Sequence, residues 1–221
     1  MKVIAVIPAW NEERTITDVV RSLEGLAEAL VVDDGSRDRT ADLARDAGAV
    51  VIRHPVNRGL GAALGTGLEA ALLRGADVIV TFDGDGQHRA SDIPAVIEPI
   101  VSGRADAVIG TRFSGLGHMP AIRRIANRVG NLTTKLFFGA AVGDSQSGFR
   151  AFSRAAAEKI RIRTDGMEVS SEIVAEIKEH GLRLAEVPIH AVYTDYSLSK
   201  GQGFVMGIRT LGRLFLHWAR R

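Results

Sequence analysis

Short apolar runs alternate along this chain with longer amphipathic stretches, and each run closes on glycine, proline or a polar cluster. The runs at 2–7, 29–32, 50–53, 78–82, 107–110 and 183–187 have the length and β-branched content of buried strands. Between them the pattern predicts helices at 11–23, opened by Asn11-Glu12-Glu13, and at 39–47, 60–75, 91–101, 120–138 and 170–180, with a last helix at 203–220. Ser91 and Asp92 are suited to cap the fourth of these, with Pro94 in its first turn. Phe149-Arg150-Ala151-Phe152 alternates like a further strand, and 188–200 reads as irregular. This alternation predicts a single α/β domain on a mostly parallel, doubly wound sheet flanked by helices. Ligands of such a sheet bind beyond the carboxyl ends of its strands.

The residues that follow the strands therefore carry the chemistry. Val78-Ile79-Val80-Thr81-Phe82 runs straight into Asp83-Gly84-Asp85-Gly86-Gln87-His88, a buried strand delivering two carboxylates to its carboxyl end. Gly84 lets the backbone turn so that both acids face one hard cation, and Gln87 can add a neutral oxygen. An acidic turn that merely caps a strand would look the same in isolation. Here Asp33-Asp34-Gly35-Ser36 closes another strand, and Pro8-Ala9-Trp10-Asn11-Glu12 a third, so acids recur at one edge. The stretch Asn57-Arg58-Gly59-Leu60-Gly61-Ala62-Ala63-Leu64-Gly65 is one residue too long for a dinucleotide fingerprint and follows the third strand. It leaves two readings open: a helix N-terminus whose N–H groups meet a diphosphate beside Arg58, or a tight turn.

Composition narrows the partners. With 46% hydrophobic and 24% charged residues in 221, the chain is globular and has length enough for one large core. It has no cysteine, hence no disulfide, thiolate metal site or cysteine nucleophile. The N-terminus opens directly into a strand, as expected without a secretory signal, and no apolar run reaches the roughly 18 residues of a membrane span. Net charge is +2 but unevenly spread: 107–143 and 196–221 each hold five basic residues and no acid, which leaves −8 on the remainder. An anionic partner accounts for this segregation. Aromatics are only 5%, with no stacking platform or basic recognition helix, so nucleic acid is not expected. In the 120–138 helix Ile122, Ile125, Val129, Leu132 and Leu136 form an apolar stripe, with Arg123 and Asn127 on another face. The last helix sets Phe204, Ile208, Leu211, Phe215 and Trp218 against Arg209, Arg213 and Arg220. That pattern suits a membrane interface, a second copy of the chain, a membrane-protein partner or the helix's own domain.

Taken in order, Pro8-Ala9-Trp10-Asn11-Glu12, Asp33-Asp34-Gly35-Ser36, Asn57-Arg58-Gly59, Asp83-Gly84-Asp85-Gly86-Gln87-His88, Gly110-Thr111-Arg112, Ser147-Gly148-Phe149-Arg150 and Ser199-Lys200 resemble the family-2, GT-A-fold glycosyltransferases. Within that family the chain is most similar to the polyprenyl-phosphate branch, which includes dolichol-phosphate mannosyltransferase. The resemblance implies a Rossmann-like GT-A domain over 1–202, with a nucleotide-sugar half at 1–111, an acceptor half at 112–202, and a separate amphipathic helix at 203–221. It implies that Pro8, Ala9, Trp10, Glu12, Asp34 and Arg58, with Gly61 and Gly84, surround a nucleotide sugar. Asp83, Asp85 and Gln87 would hold Mg²⁺ or Mn²⁺ on its diphosphate. Arg112, Arg123, Asn127 and Lys200 match the positions that receive the acceptor phosphate, and Asp85, Arg112, Arg123 and Lys200 are the expected catalytic set. The implied reaction is inverting transfer of a hexose, of GDP-mannose or UDP-glucose type, to a polyprenyl or dolichyl phosphate. Such an acceptor is already ionised at neutral pH and needs cations more than a general base.

The chain departs from the family pattern in places. Thr194, followed by Asp195, stands where many relatives have an arginine, so one acceptor cation is missing or comes from elsewhere, Arg124 being a candidate. The loop between Arg112 and Arg123 is short. Asp144 matches a recurring acid expected to orient the acceptor helix or Arg150. Many relatives continue into transmembrane helices whereas this sequence stops at Arg221, so a peripheral protein on the cytoplasmic face of a membrane is expected. A soluble acceptor, or a non-catalytic nucleotide-sugar-binding subunit, are the alternatives.

Overall fold

The computed structural model describes residues 1–112, 142–190 and 192. The helices expected at 120–138 and 203–220, and with them Arg123, Arg124, Asn127, Thr194, Asp195 and Lys200, lie outside the described residues. The strands are β1 (Val3–Ala9), β2 (Glu28–Asp33), β3 (Val50–Arg53), β4 (Val78–Thr81), β5 (Ala107–Thr111), β6 (Arg150–Ser153) and β7 (Leu184–Pro188). The helices are α1 (Ile16–Ser22), α2 (Thr40–Asp46), α3 (Leu60–Leu73), α4 (Ile93–Val101), α5 (Arg154–Ala157) and α6 (Val169–Glu179). A single sheet runs in the order β3-β2-β1-β4-β6-β5-β7. Among the described strands only β6 is antiparallel to its neighbours, β4 and β5. The carboxyl ends of all other strands, and the start of β6, therefore lie along one edge.

Alternation along the strands divides the core into two layers. Ala5, Ile7, Val31, Val80 and Phe82 face α1, α2 and α4, while Ile4, Val6, Leu30 and Ile79 face α3, α5 and α6. Residues buried on both faces make these strands continuous apolar runs, which is why the sequence shows them clearly. The sheet meets α3 with no intervening side chain at Gly67, where a Cβ would stand 2.2 Å from Val6 Cγ1.

Three expected boundaries shift for local reasons. β1 continues through Pro8 and does not end there. Phe82 N–H donates to Val6 and Asp34 N–H to Ala9, so alternate residues face β4 and β2. Pro8 turns its missing N–H toward β4, whose ladder with β1 has already ended at Thr81. The first helix begins at Ile16, not at Asn11, because the intervening N–H groups bond to a neighbouring loop. Asp92 precedes α4 after a short 3₁₀ turn but makes no side-chain cap bond. Its carboxylate is taken by His190, whose backbone N–H lies 2.7 Å and Nδ1 2.9 Å away.

Gly67→Ala raises intrinsic helix propensity but inserts a methyl into the α3–β1 contact. It is expected to lower unfolding free energy by about 1–3 kcal/mol in denaturant titrations. An unchanged or raised midpoint would show that this contact relaxes without cost.

Candidate functional site

The loops after β1 and β2 are stitched together by side-chain oxygens accepting backbone N–H groups. Asn11 N–H donates to Ser36 Oγ (2.9 Å), Glu12 N–H to Thr40 Oγ1 (2.8 Å) and Arg37 N–H to Asn11 Oδ1 (2.9 Å). Asn11 adopts φ 54°, a left-handed conformation that asparagine tolerates better than most residues. From the same loop Thr15 Oγ1 donates to Gly84 O at 2.7 Å, tying it to the acidic segment after β4. Pro8, Ala9, Trp10, Glu12 and Gly84 are thus brought to one edge; Glu12 is buried and Trp10 is 52% exposed.

Asp34, fully enclosed at the end of β2, is a hub. It accepts from Arg58 N–H at 2.9 Å and Gly59 N–H at 2.7 Å, and pairs with His54 Nδ1 at 2.7 Å. His54 Nε2 continues to Thr66 Oγ1 on α3 at 3.0 Å. Arg58 is held here by its backbone, while its exposed guanidinium lies 3.9 Å from the Asp165 carboxylate. The glycine stretch turns tightly at Gly59, φ 108°, and packs closely on residues 164–166. A Cβ on Gly59 would lie 2.2 Å from Asp165 O, and one on Gly61 1.8 Å from Thr164 O. Gly61 donates its N–H to Asp165 O and is buried, so it is not brought to the open edge with the other expected donor residues. The covering loop is itself anchored by the buried Glu172, which accepts from Arg163 N–H, Thr164 N–H and Thr164 Oγ1 at 2.5–3.0 Å.

After β4 the two carboxylates diverge in environment. Asp83 meets His88 Nε2 at 2.8 Å and presses on Gly148, where a Cβ would stand 2.2 Å from its Oδ1. Burial alone would raise its carboxyl pKa, but His88 and the guanidinium groups of Arg112 and Arg150 outweigh burial and hold it below the usual range. Asp85 moves the other way, pushed up by burial and then by the like charge of Asp83, against hydrogen bonds from Gln87. Gln87 donates its backbone N–H to Asp85 Oδ1 at 3.0 Å and its side-chain amide N–H to Oδ2. Its side-chain amide N–H therefore braces Asp85. Two adjacent carboxylates with partial solvent access fit a hard cation. An ion of Mg²⁺ type needs only one or two protein carboxylates and completes its shell with substrate phosphate and water.

At the end of β5, Arg112 is gripped by Asp144 through two parallel bonds, Nε to Oδ2 at 2.7 Å and Nη2 to Oδ1 at 2.8 Å. Its backbone N–H adds a third contact to Oδ2 at 3.3 Å. Asp144 is completely buried and orients Arg112, while the acceptor helix it was also expected to orient lies outside the described residues. Arg150 pairs across the sheet with Thr81 on one side and Ile109 on the other, which puts it beneath both clusters. It is buried, with one side-chain bond, Nη2 to Ser145 O at 3.1 Å. Burial lowers its pKa to about 10 against the support of Asp83 and Asp144, with Arg112 adding to the fall, so it remains cationic at neutral pH. The sequence placed His88 and Arg150 in motifs without giving either a role of its own, and did not single out His54 or the Asp92–His190 pair as parts of the site. A charged residue inside an alternating apolar run, as at Arg150, was the available signal. Beyond His190, Val192 N–H donates to Gln87 O at 2.9 Å, so the chain approaching Lys200 starts against the acidic loop.

Residues 4–161 match the family model described as Glycosyl transferase family 2. An uncharacterized protein of Methanocaldococcus jannaschii is 45% identical, over 97% of this chain and 91% of its own length. The UDP-N-acetylglucosamine–dolichyl-phosphate N-acetylglucosaminyltransferase of Methanococcus voltae is 35% identical, over 96% and 94%. The undecaprenyl-phosphate mannosyltransferase of Micrococcus luteus is 30% identical, over 94% and 90%. Among solved structures, glucosyl-3-phosphoglycerate synthase from Mycobacterium tuberculosis in complex with UDP superposes with a TM-score of 0.77 at 24% identity, over 99% of this chain and 80% of that one, which supports the fold. Other complexes of that enzyme contain Mn²⁺ or Mg²⁺ with UDP. With a family match over residues 4–161, a GT-A architecture and near-complete alignment to polyprenyl-phosphate sugar transferases, the chain belongs to glycosyl transferase family 2.

Proposed function

We propose that this enzyme is a divalent-cation-dependent, inverting glycosyltransferase that moves a hexose from a nucleotide sugar of GDP-mannose or UDP-glucose type to a polyprenyl phosphate at a membrane surface. The observation that carries the reading is the forked Arg112–Asp144 pair beside the Asp83–Asp85 carboxylates at one sheet edge. A guanidinium preset by a buried carboxylate suits a phosphate monoester, which is ionised without a base. Similarity to the dolichyl- and undecaprenyl-phosphate transferases supports the lipid acceptor.

In this reading the loops fixed by Asp34, Ser36 and Thr40 hold the nucleotide, while Asp83 and Asp85 hold Mg²⁺ or Mn²⁺, with Gln87 presenting Asp85. The cation, when bound, neutralises charge developing on the leaving diphosphate. Arg112 orients the acceptor phosphate so that one of its oxygens attacks the anomeric carbon as the bond to the diphosphate breaks, releasing the nucleoside diphosphate. Arg123, Asn127 and Lys200 complete the acceptor side by the same reading. No helix among the described residues is long and apolar enough to cross a membrane, which is compatible with peripheral attachment to the cytoplasmic face.

Incubating the protein with polyprenyl phosphate in detergent, Mn²⁺ or Mg²⁺ and a mixture of nucleotide sugars should yield a glycosyl-phosphoprenol mass in the lipid extract. A water-soluble glycosylated product would replace the lipid with a soluble phosphorylated acceptor. Asp85→Ala should cut turnover by about 10²–10³-fold with little change in melting temperature; wild-type turnover in that variant or in excess chelator would refute the cation assignment. Because the Asp85 pKa is raised, protonation should remove cation-dependent turnover above the ordinary carboxylate range as pH falls. More cation should shift that limb to lower pH, since metal and proton compete for the same oxygens. Asp144→Asn should raise the acceptor KM by about ten-fold, or about 1.4 kcal/mol, without changing the donor KM; equal effects on both would assign Asp144 a purely structural part.

A further inference from the structure

Asp83 is held from two sides. On one side the Gly148 backbone lies against its carboxylate, and Thr81 Oγ1 fixes Gly148 by donating to its carbonyl at 2.6 Å. On the other, His88 Nε2 lies 2.8 Å from Oδ2. The His88 ring is buried between Phe82, at 5.6 Å between centroids and 63°, and Phe149, at 5.2 Å and 53°. The two phenylalanines themselves meet edge to face at 5.2 Å and 76°. This box prevents the ring from turning over without breaking its packing. Nδ1, the other ring nitrogen, is buried and has no hydrogen-bond partner.

These contacts define the proton's place. Nε2 faces a carboxylate oxygen at hydrogen-bond distance, which requires an N–H there. The ring therefore aims its Nε2–H at one oxygen of Asp83.

We propose that His88 is a positioning residue for cation binding: from its aromatic box it donates Nε2–H to Asp83 Oδ2, fixing the carboxylate's rotation. The inference rests on the reading of Asp83 as a cation ligand. Outer hydrogen bonds of this kind set metal affinity by orienting the ligand that touches the ion.

The test is titration of Mn²⁺ onto the protein saturated with UDP, and in parallel with GDP, followed by calorimetry or by the free-Mn²⁺ electron-spin signal. His88→Phe keeps an aromatic ring and removes the donor; it should weaken Mn²⁺ by about 10–100-fold. His88→Gln restores an N–H near the Nε2 position and should recover most of the affinity. Wild-type Mn²⁺ affinity in His88→Phe would overturn the inference while leaving the cation site standing. No Mn²⁺ binding by the wild type with either nucleotide would instead remove the cation site, and the inference with it. Two-bond ¹H–¹⁵N correlation on the wild-type protein gives a readout independent of any variant's folding. It should show His88 protonated at Nε2, and a proton on Nδ1 alone would overturn the proposal.

Discussion

Opposite charges packed under the edge where β4, β5 and β6 meet are what the rest of the site depends on. Asp144 and Arg150 are completely buried and Arg112 is nearly so, and none of these charges would be tolerable there alone, while Asp83 stands at the partly open edge above them. Asp144 binds Arg112 directly, while Arg150 supports Asp83 and is supported by Asp144 through space. The cluster exists because β6 enters the sheet antiparallel and carries Gly148, Phe149 and Arg150 between the strands bearing Asp83 and Arg112. Gly148 admits the Asp83 carboxylate that any side chain would exclude.

Around this floor, the donor half is rigid by a different device. Ser36, Thr40, Asp34 and Asn11 use short side chains to accept backbone N–H groups of neighbouring loops. Loop backbone that would otherwise need water is thereby satisfied within the protein. The same bonds hold the segment after β1 out of helix until Ile16. Both Asp34 and Asp144 show buried acids acting as positioning groups, whereas Asp83 and Asp85 keep access to solvent and are free to meet a ligand. Opposite pKa shifts in that pair follow: one acid lies among cationic groups, the other beside its own like-charged neighbour.

Much of this was legible from sequence because parallel strands buried on both faces announce themselves as apolar runs, and ligands collect at their carboxyl ends. The pattern placed β2 to β5 and β7 within about a residue or two of their observed bounds, and it brought Asp34, Asp83, Asp85 and Arg112 to one edge. Where it erred, tertiary bonds overrode local preference. Pro8 stays in β1 because its missing N–H falls beyond the end of β4, and Asp92 gives up its cap for His190.

By itself, then, the sequence determined the sheet class, the edge that carries the chemistry and the acids and arginine delivered there, since these follow from periodicity and from what stands after each strand. Only the tertiary structure decided that Gly59 and Gly61 serve close packing, that Asp144 holds Arg112, that Gln87 serves Asp85, and that His88 and Arg150 lie against the acids. Those assignments depend on which strand inserts between β4 and β5, a long-range pairing that local propensity does not encode.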